Sequence, residues 1–128
     1  MHFSDFSEDL VELSHSSVAT LCSVTFTVPP SGADARIDVN VAFRRSPSGP
    51  LAVGYLILKD GVYPTANRHY RGVEITGQYF PTTYVMHDEG LTPDSTVTYS
   101  LVASKLYNNA EPASAMSCDM TVTLESSS

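Results

Sequence analysis

The sequence is poor in charged residues, which make up 16% of its 128 residues where about a quarter is usual. Fourteen acidic side chains outnumber seven basic ones, so the formal net charge is −7. An acidic chain repels phosphate backbones, and we therefore expect no direct binding to nucleic acid. With so few charges, the surface is expected to consist largely of serine, threonine, asparagine and glycine.

Long hydrophobic runs are also missing. No segment approaches the roughly 18 apolar residues of a transmembrane helix, so we expect no membrane partner. Residues 1–17 lack the basic start and the continuous apolar stretch of a secretory signal. No N-x-S/T acceptor for glycosylation occurs. Nothing in these features indicates a eukaryotic secretory route.

Motifs that carry chemistry are absent as well. The sequence contains no G-x-S-x-G elbow, no phosphate-binding glycine loop and no C-x-x-C pair. We therefore expect no enzymatic activity, no catalytic residue, no cofactor and no bound metal. His87, Asp88 and Glu89, with Asp94 nearby, could offer oxygen ligands to a hard cation. Without a known ligand spacing, we interpret them as an acidic loop at the end of a strand.

The segment 90–103, GLTPDSTVTYSLVA, shows most clearly what the sequence does contain. A glycine, a proline and an Asp-Ser pair supply turn chemistry at its start. Apolar residues then recur at every second position, at Val97, Tyr99, Leu101 and Ala103. This alternation predicts a half-buried antiparallel strand entered from a tight corner.

Similar alternation recurs along the chain and predicts an all-β fold, either a sandwich or a barrel. Six further strands are expected, over 19–28, 36–45, 51–59, 73–75, 79–86 and 116–124. Residues 51–59 are apolar on both faces, which favours a central strand or one covered by another subunit. We expect Tyr55, Leu56 and Leu58 to lie near a subunit contact.

Residues 1–16 differ from the rest, and we divide the chain into an N-terminal arm (1–16), a β-sandwich (17–125) and a polar tail (126–128). Asp5 could cap a short helix with Glu8 three residues later. The arm could instead lie extended on a neighbouring molecule, or pack on its own domain. Its apolar residues are candidates for contact with a partner or a sister subunit: Phe3, Phe6, Leu10, Val11 and Leu13.

Aromatic and basic residues also occur in segments predicted to be loops. They could contact a sugar or a protein partner, although a solvated loop is the simpler interpretation. The candidates for such binding are Tyr63, Arg68, His69, Tyr70, Arg71 and Tyr107.

Four segments with a β-strand pattern are SVTFTVPPSGADARIDVNVAFR, LAVGYLILKDG, GLTPDSTVTYSLVA and CDMTVTLES. Together they resemble the small jelly-roll domains of tailed bacteriophages, which are similar to the tumour-necrosis-factor fold. The resemblance covers residues 17–125 and implies an antiparallel jelly-roll sandwich. A partial resemblance to a fibronectin type III domain covers residues 90–124 only. In that comparison, Val97 stands where the family's corner tyrosine is expected.

The phage resemblance implies a non-enzymatic structural protein of the virion, assembled in the host cytoplasm and commonly a homotrimer. We expect a capsid decoration (cement) protein that contacts the major capsid protein or another virion protein. The 128 residues contain no repetitive shaft, which favours decoration over a fibre tip. The alternative is a receptor- or glycan-binding module, either a tail-fibre tip or a fibronectin-like adhesion domain.

Two cysteines, Cys22 and Cys118, occupy apolar positions of the first and last predicted β-sandwich strands. A jelly roll commonly places its first and last strands in one sheet, which would bring the two thiols close together. Assembly in a reducing cytosol would keep them reduced. We expect two buried free thiols, with a disulfide as the alternative.

Overall fold

The computed structural model describes residues 1–14, 17–45, 52–62, 71–74, 80–105 and 113–125. At residues 45, 52, 71–74 and 80 it describes the backbone but not the side chain. Nine strands and no helix occur in these ranges. In chain order the strands are β1 His2–Ser7, β2 Val11–Glu12, β3 Ala19–Thr27, β4 Ala33–Arg45, β5 Ala52–Lys59, β6 Arg71–Glu74, β7 Phe80–Leu91, β8 Thr96–Lys105 and β9 Ala113–Glu125.

The strands form two antiparallel sheets. The larger sheet has the order β1-β9-β4-β7, and the short β2 also pairs with β9. The smaller sheet has the order β3-β8-β5-β6. The prediction of an all-β sandwich is therefore confirmed at this level.

Strand pairing follows a nested scheme once the two-residue β2 is set aside. β1 pairs with β9, β3 with β8, β4 with β7, and β5 with β6. Two further pairings, β4 with β9 and β5 with β8, join these ribbons within each sheet. Apart from the β5–β6 connection, each step between these eight strands crosses from one sheet to the other.

The hydrophobic core lies between the two sheets and is built by alternation. On β8, Val97, Tyr99, Leu101 and Ala103 are all buried, as the sequence pattern predicts. Side chains from β3, β4, β5, β7 and β9 complete one continuous core cluster. Each large apolar side chain buried here contributes about 1.5–3 kcal/mol relative to exposure. Core burial therefore fixes which face of each strand is outward.

The corner between β7 and β8 has the conformation that its residue types favour. Gly90 and Asp94 have positive φ values of 69° and 64°, which glycine adopts without strain and aspartate tolerates. The Ser95 hydroxyl donates to the Thr92 carbonyl at 2.7 Å. The Gly90 amide donates to Asp34 Oδ1 at 2.8 Å, which ties the corner to the start of β4.

The N-terminal segment packs on its own domain, which is one of the three alternatives that the sequence left open, and it does so as strands rather than as a short helix. Residues 2–7 run antiparallel to β9 in the register His2↔Thr123 to Ser7↔Cys118. Without them, this side of β9 would present a row of unpaired backbone groups. A helix of this length would be marginal by itself, whereas the strand satisfies both backbones. The larger sheet thus includes residues that the sequence assigned to an arm.

The two cysteines are joined in a disulfide, so the prediction of free thiols is wrong. Their predicted burial is confirmed, at 4% and 2% exposure for Cys22 and Cys118. The bond crosses the core from β3 in the smaller sheet to β9 in the larger one, with a Cα–Cα distance of 6.2 Å. The two strands were expected in one sheet. They lie in opposite sheets because β1 occupies the place beside β9.

Candidate functional site

The outward face of the larger sheet carries a row of polar residues with one exposed aromatic ring. Phe6 on β1 pairs with Asp119 on β9, which pairs with Asn40 on β4, which in turn pairs with Thr83 on β7. All four are outward, because the residues on either side of each one are more buried and face the other sheet. The row therefore crosses the four main strands of the sheet side by side.

A cavity of about 620 Å³ opens along this row. We call it the sheet-face groove and define it by its outward lining residues: Phe6, Asn40, Ala42, Pro81, Thr83, Ser117 and Asp119. Its volume lies within the roughly 300–1,000 Å³ of typical ligand pockets.

Small side chains explain why the outward face of the sheet has a groove at this point. Ala42 faces outward on β4 but is only 3% exposed. Its register neighbours are Ser117 on β9 and Pro81 on β7. The pairing of β4 with β9 shifts just beyond this point, between Ala42 and Phe43, and such an irregularity bends a strand locally. Two short side chains beside that irregularity leave room between Pro81 and the Phe6 ring.

The groove offers mixed hydrogen-bonding chemistry. Asn40 provides both donors and an acceptor, Thr83 and Ser117 provide hydroxyls, and Asp119 provides a carboxylate. Of the described residues that line the groove, Asp119 alone is ionisable. Phe6 is 60% exposed, so its ring is available to a ligand. The arrangement can bind a polar molecule that has one apolar surface.

Among the other described residues on the outward face of the four strands, Val85 alone is a large apolar side chain with high exposure, at 44%. An exposed ion pair between Arg36 and Asp38, at 3.2 Å, spans the next two rows along the sheet. Further along, His2 Nδ1 lies 3.1 Å from Thr123 Oγ1. An exposed ion pair contributes little to stability. The face as a whole is thus a hydrophilic surface with the aromatic ring near one edge.

A second cluster of polar side chains lies between the sheets, with Tyr99 and Asp88 buried and Lys59 half-buried. The Tyr99 hydroxyl donates to Asp88 Oδ2 at 2.6 Å, and Lys59 Nζ lies 2.9 Å from the same oxygen. Burial, followed by the hydrogen bond and negative charge of Asp88 and then the charge of Asp60, raises the pKa of Tyr99 far above its usual value. The phenol therefore stays neutral and remains a donor. The cluster joins β7 in one sheet to β5 and β8 in the other.

This cluster also changes the interpretation of the acidic residues at the end of β7. Asp88 points inward to Tyr99, whereas His87 and Glu89 on either side of it are exposed. The three side chains therefore do not converge on one point. Within the described ranges, no group of three or more histidine, cysteine, aspartate or glutamate side chains is arranged to hold a metal ion.

The five apolar residues of the N-terminal segment divide into two groups. Leu13 is buried in the core at 4% exposure, and Phe3 and Val11 are partly buried against it. The Phe3 ring stacks on Phe26 with centroids 5.2 Å apart. Phe6 and Leu10 are 60% and 58% exposed. Only these last two present large apolar surface to a partner.

The candidates on β5 are mostly covered within the single chain. Tyr55 is 3% exposed and its hydroxyl lies 3.0 Å from Thr82 Oγ1. Leu56 faces away from the core yet is only 5% exposed, while Leu58 is half-buried. β5 lies between β8 and β6, as the central-strand alternative requires. Tyr55 and Leu56 therefore offer no apolar surface to another subunit.

Five of the six loop candidates lie outside the described residues: Tyr63, Arg68, His69, Tyr70 and Tyr107. The sixth, Arg71, begins β6 and pairs with Tyr55 in the register. Sequence reasoning did not find the sheet-face groove. In the sequence, the groove is visible only as polar residues at outward strand positions. Such a pattern does not show which of these residues lie side by side on neighbouring strands.

Neither a protein-family model nor a curated protein sequence matches the chain. Among the residues that the structure describes, no helix has the length and hydrophobicity needed to cross a membrane.

Proposed function

We propose that the chain is a non-enzymatic structural protein of a tailed-bacteriophage virion, a jelly-roll decoration protein that stabilises the capsid through protein–protein contacts. The partners would be sister copies in a homotrimer and the major capsid protein or another virion protein.

The nested strand pairing is the observation that carries this proposal. Eight strands pair first with last, second with second-last, and so on inward to β5 with β6. A long two-stranded ribbon folded over in this way gives two four-stranded sheets, the arrangement of an eight-stranded jelly roll. This supports the jelly-roll form of the sandwich and, through it, the resemblance to phage domains.

The disulfide and the exposed edge of β1 are compatible with this role. Disulfides persist on virions and in other oxidising surroundings, so a bond between Cys22 and Cys118 suits a particle released from the cytoplasm. Leu10 lies at one edge of the larger sheet, is 58% exposed and presents apolar surface to a partner. In a closed trimer each such contact occurs three times, which raises the total binding strength of a modest interface.

The alternative is a receptor- or glycan-binding module, and the sheet-face groove is the observation that favours it. An exposed aromatic ring beside hydroxyl, amide and carboxylate groups is suited to a polar ligand. A decoration protein would be located on the capsid, whereas a tail-fibre tip would be located at the end of the tail.

Immunogold labelling tests the proposal directly. Antibodies against the purified chain are applied to intact tailed particles produced by the same genome. Decoration predicts gold over the capsid. Gold confined to the tail tip would favour the fibre-tip alternative, and unlabelled particles would contradict both virion assignments. Light scattering should give three times the chain's 13.8 kDa, and a persistent monomer would contradict the trimer.

A further inference from the structure

The sheet-face groove has a composition that the structural role does not require. Seven outward residues from four strands surround a cavity of about 620 Å³. We propose that this groove binds a neutral saccharide, with the Phe6 ring packed against a sugar and Asp119 and Asn40 hydrogen-bonded to its hydroxyls. This inference deepens the glycan-binding alternative and does not depend on the decoration role.

The spacing of the row suits a ring-shaped ligand. Neighbouring strands lie about 4.8 Å apart, so the Asp119 and Asn40 backbones are roughly 5 and 10 Å from that of Phe6 across the sheet. A sugar ring lying on the Phe6 side chain therefore reaches both polar groups with its hydroxyls. Thr83 continues the row on β7 and can contact a second sugar unit.

The chemistry of the groove matches that of a saccharide. Every sugar hydroxyl is both a donor and an acceptor, and the groove supplies the complementary carboxylate, amide and hydroxyl groups. The C–H groups on one side of a sugar ring form an apolar patch, which packs favourably on the electron-rich face of an aromatic ring. Phe6 supplies that face because it is 60% exposed.

Charge favours a neutral sugar over an acidic one. Asp119 lies in the row, and the chain carries a formal net charge of −7. No lysine, arginine or histidine is among the described residues lining the groove. An anionic sugar would therefore meet repulsion without a compensating cation.

The surroundings of Phe6 argue against a protein partner in the groove. Docking surfaces for proteins are commonly marked by contiguous apolar patches, whereas the direct partners of Phe6 along the row are Asp119, Asn40 and Thr83. The exposed Val85 lies in the adjacent row, on the far strand of the sheet. One ring among polar groups is better suited to a small hydrophilic ligand.

The test is a titration of the ¹⁵N-labelled full chain with saccharides, in which NMR monitors the amide chemical shifts. The neutral probes are linear trisaccharides of glucose, galactose, mannose and N-acetylglucosamine, and sialyllactose is the anionic probe. At least one neutral probe should shift the amides of Phe6, Asn40 and Asp119. Sialyllactose should bind at least about tenfold more weakly, a difference of 1.4 kcal/mol.

Three variants locate the site. Phe6→Ala should lower the affinity for the neutral probe that binds best by at least about tenfold. Asp119→Asn should reduce the ratio of the affinity for neutral sugar to that for anionic sugar. Val85→Ala is the matched control, since Val85 is 44% exposed on the same face of the sheet but does not line the groove. It should bind as the parent does. Spectra without sugar check that each variant is folded.

Three results would overturn the inference. The first is the absence of localised shifts with every neutral probe up to tens of millimolar. The second is a set of shifts that Phe6→Ala leaves unchanged. The third is a change in oligomeric mass caused by Phe6→Ala without any saccharide binding, which would assign the ring to a protein contact.

Discussion

Reducing the disulfide between Cys22 and Cys118 should destabilise the domain strongly. The bond joins residues separated by 96 positions and connects the two sheets through the core. In the chain-entropy model, a crosslink closing a loop of this length removes about 4.7 kcal/mol of unfolded-state entropy at 25 °C. A domain of this size has a total stability of roughly 6–19 kcal/mol. Loss of the bond therefore removes a large share of the free energy of unfolding.

Urea unfolding of the oxidised and reduced forms of the same chain measures this loss. With urea m-values of about 1–3 kcal/mol per M, the midpoint should fall by roughly 1.5–5 M on reduction. The reductant itself is controlled by a Cys22→Ala/Cys118→Ala variant, whose midpoint should not respond to it. Intact mass before and after reduction should differ by two hydrogens.

Two outcomes would refute the reasoning. Alkylation of two free thiols in the native, air-oxidised protein would show that the bond is not formed. A difference below about 1 kcal/mol between the oxidised and reduced forms would show that the loop-closure argument does not apply to this domain.

Two further substitutions test the packing. Phe3→Ala should lower the free energy of unfolding by roughly 1–3 kcal/mol, because Phe3 stacks on Phe26. Phe6→Ala, on the outward face of the same strand, should change the free energy of unfolding by no more than about 0.5 kcal/mol. Equal effects of the two substitutions in chemical denaturation would contradict the assignment of faces. Tyr99→Phe removes the donor to Asp88 and should cost about 1–3 kcal/mol, and an unchanged unfolding midpoint would show that the hydrogen bond adds no net stability.

Period-two alternation was enough to predict most of the strands and their buried faces. The prediction of inward residues on β8 is confirmed from Val97 to Ala103, because a half-buried strand must place its apolar residues on one side. The same pattern correctly predicts burial of Cys22 and Cys118. It does not reveal which sheet each strand joins, and that choice decides whether the cysteines lie side by side or face each other across the core.

The N-terminal segment shows why local pattern can fail. Its apolar residues fit a rough helical stripe, and Asp5 with Glu8 has the spacing of a helix cap. In the structure, Asp5 Oδ2 instead accepts a hydrogen bond from the Ser23 amide at 3.0 Å, linking β1 to β3. The segment forms a strand because one side of β9, at the other end of the sequence, has backbone groups that it can pair with. A long-range pairing therefore overrides a weak local preference.

The sheet-face groove depends on long-range register. Phe6, Asn40 and Asp119 come from the beginning, the middle and the end of the chain, and they become neighbours only through the pairings of β1, β9 and β4. A slip of one residue in β9 would turn Asp119 into the core and expose Met120, which is fully buried. Burial of Met120 therefore holds Asp119 in the outward row. The polar site is positioned by the apolar residues beneath it, and its residues can be recognised as a group only when the strand register is known.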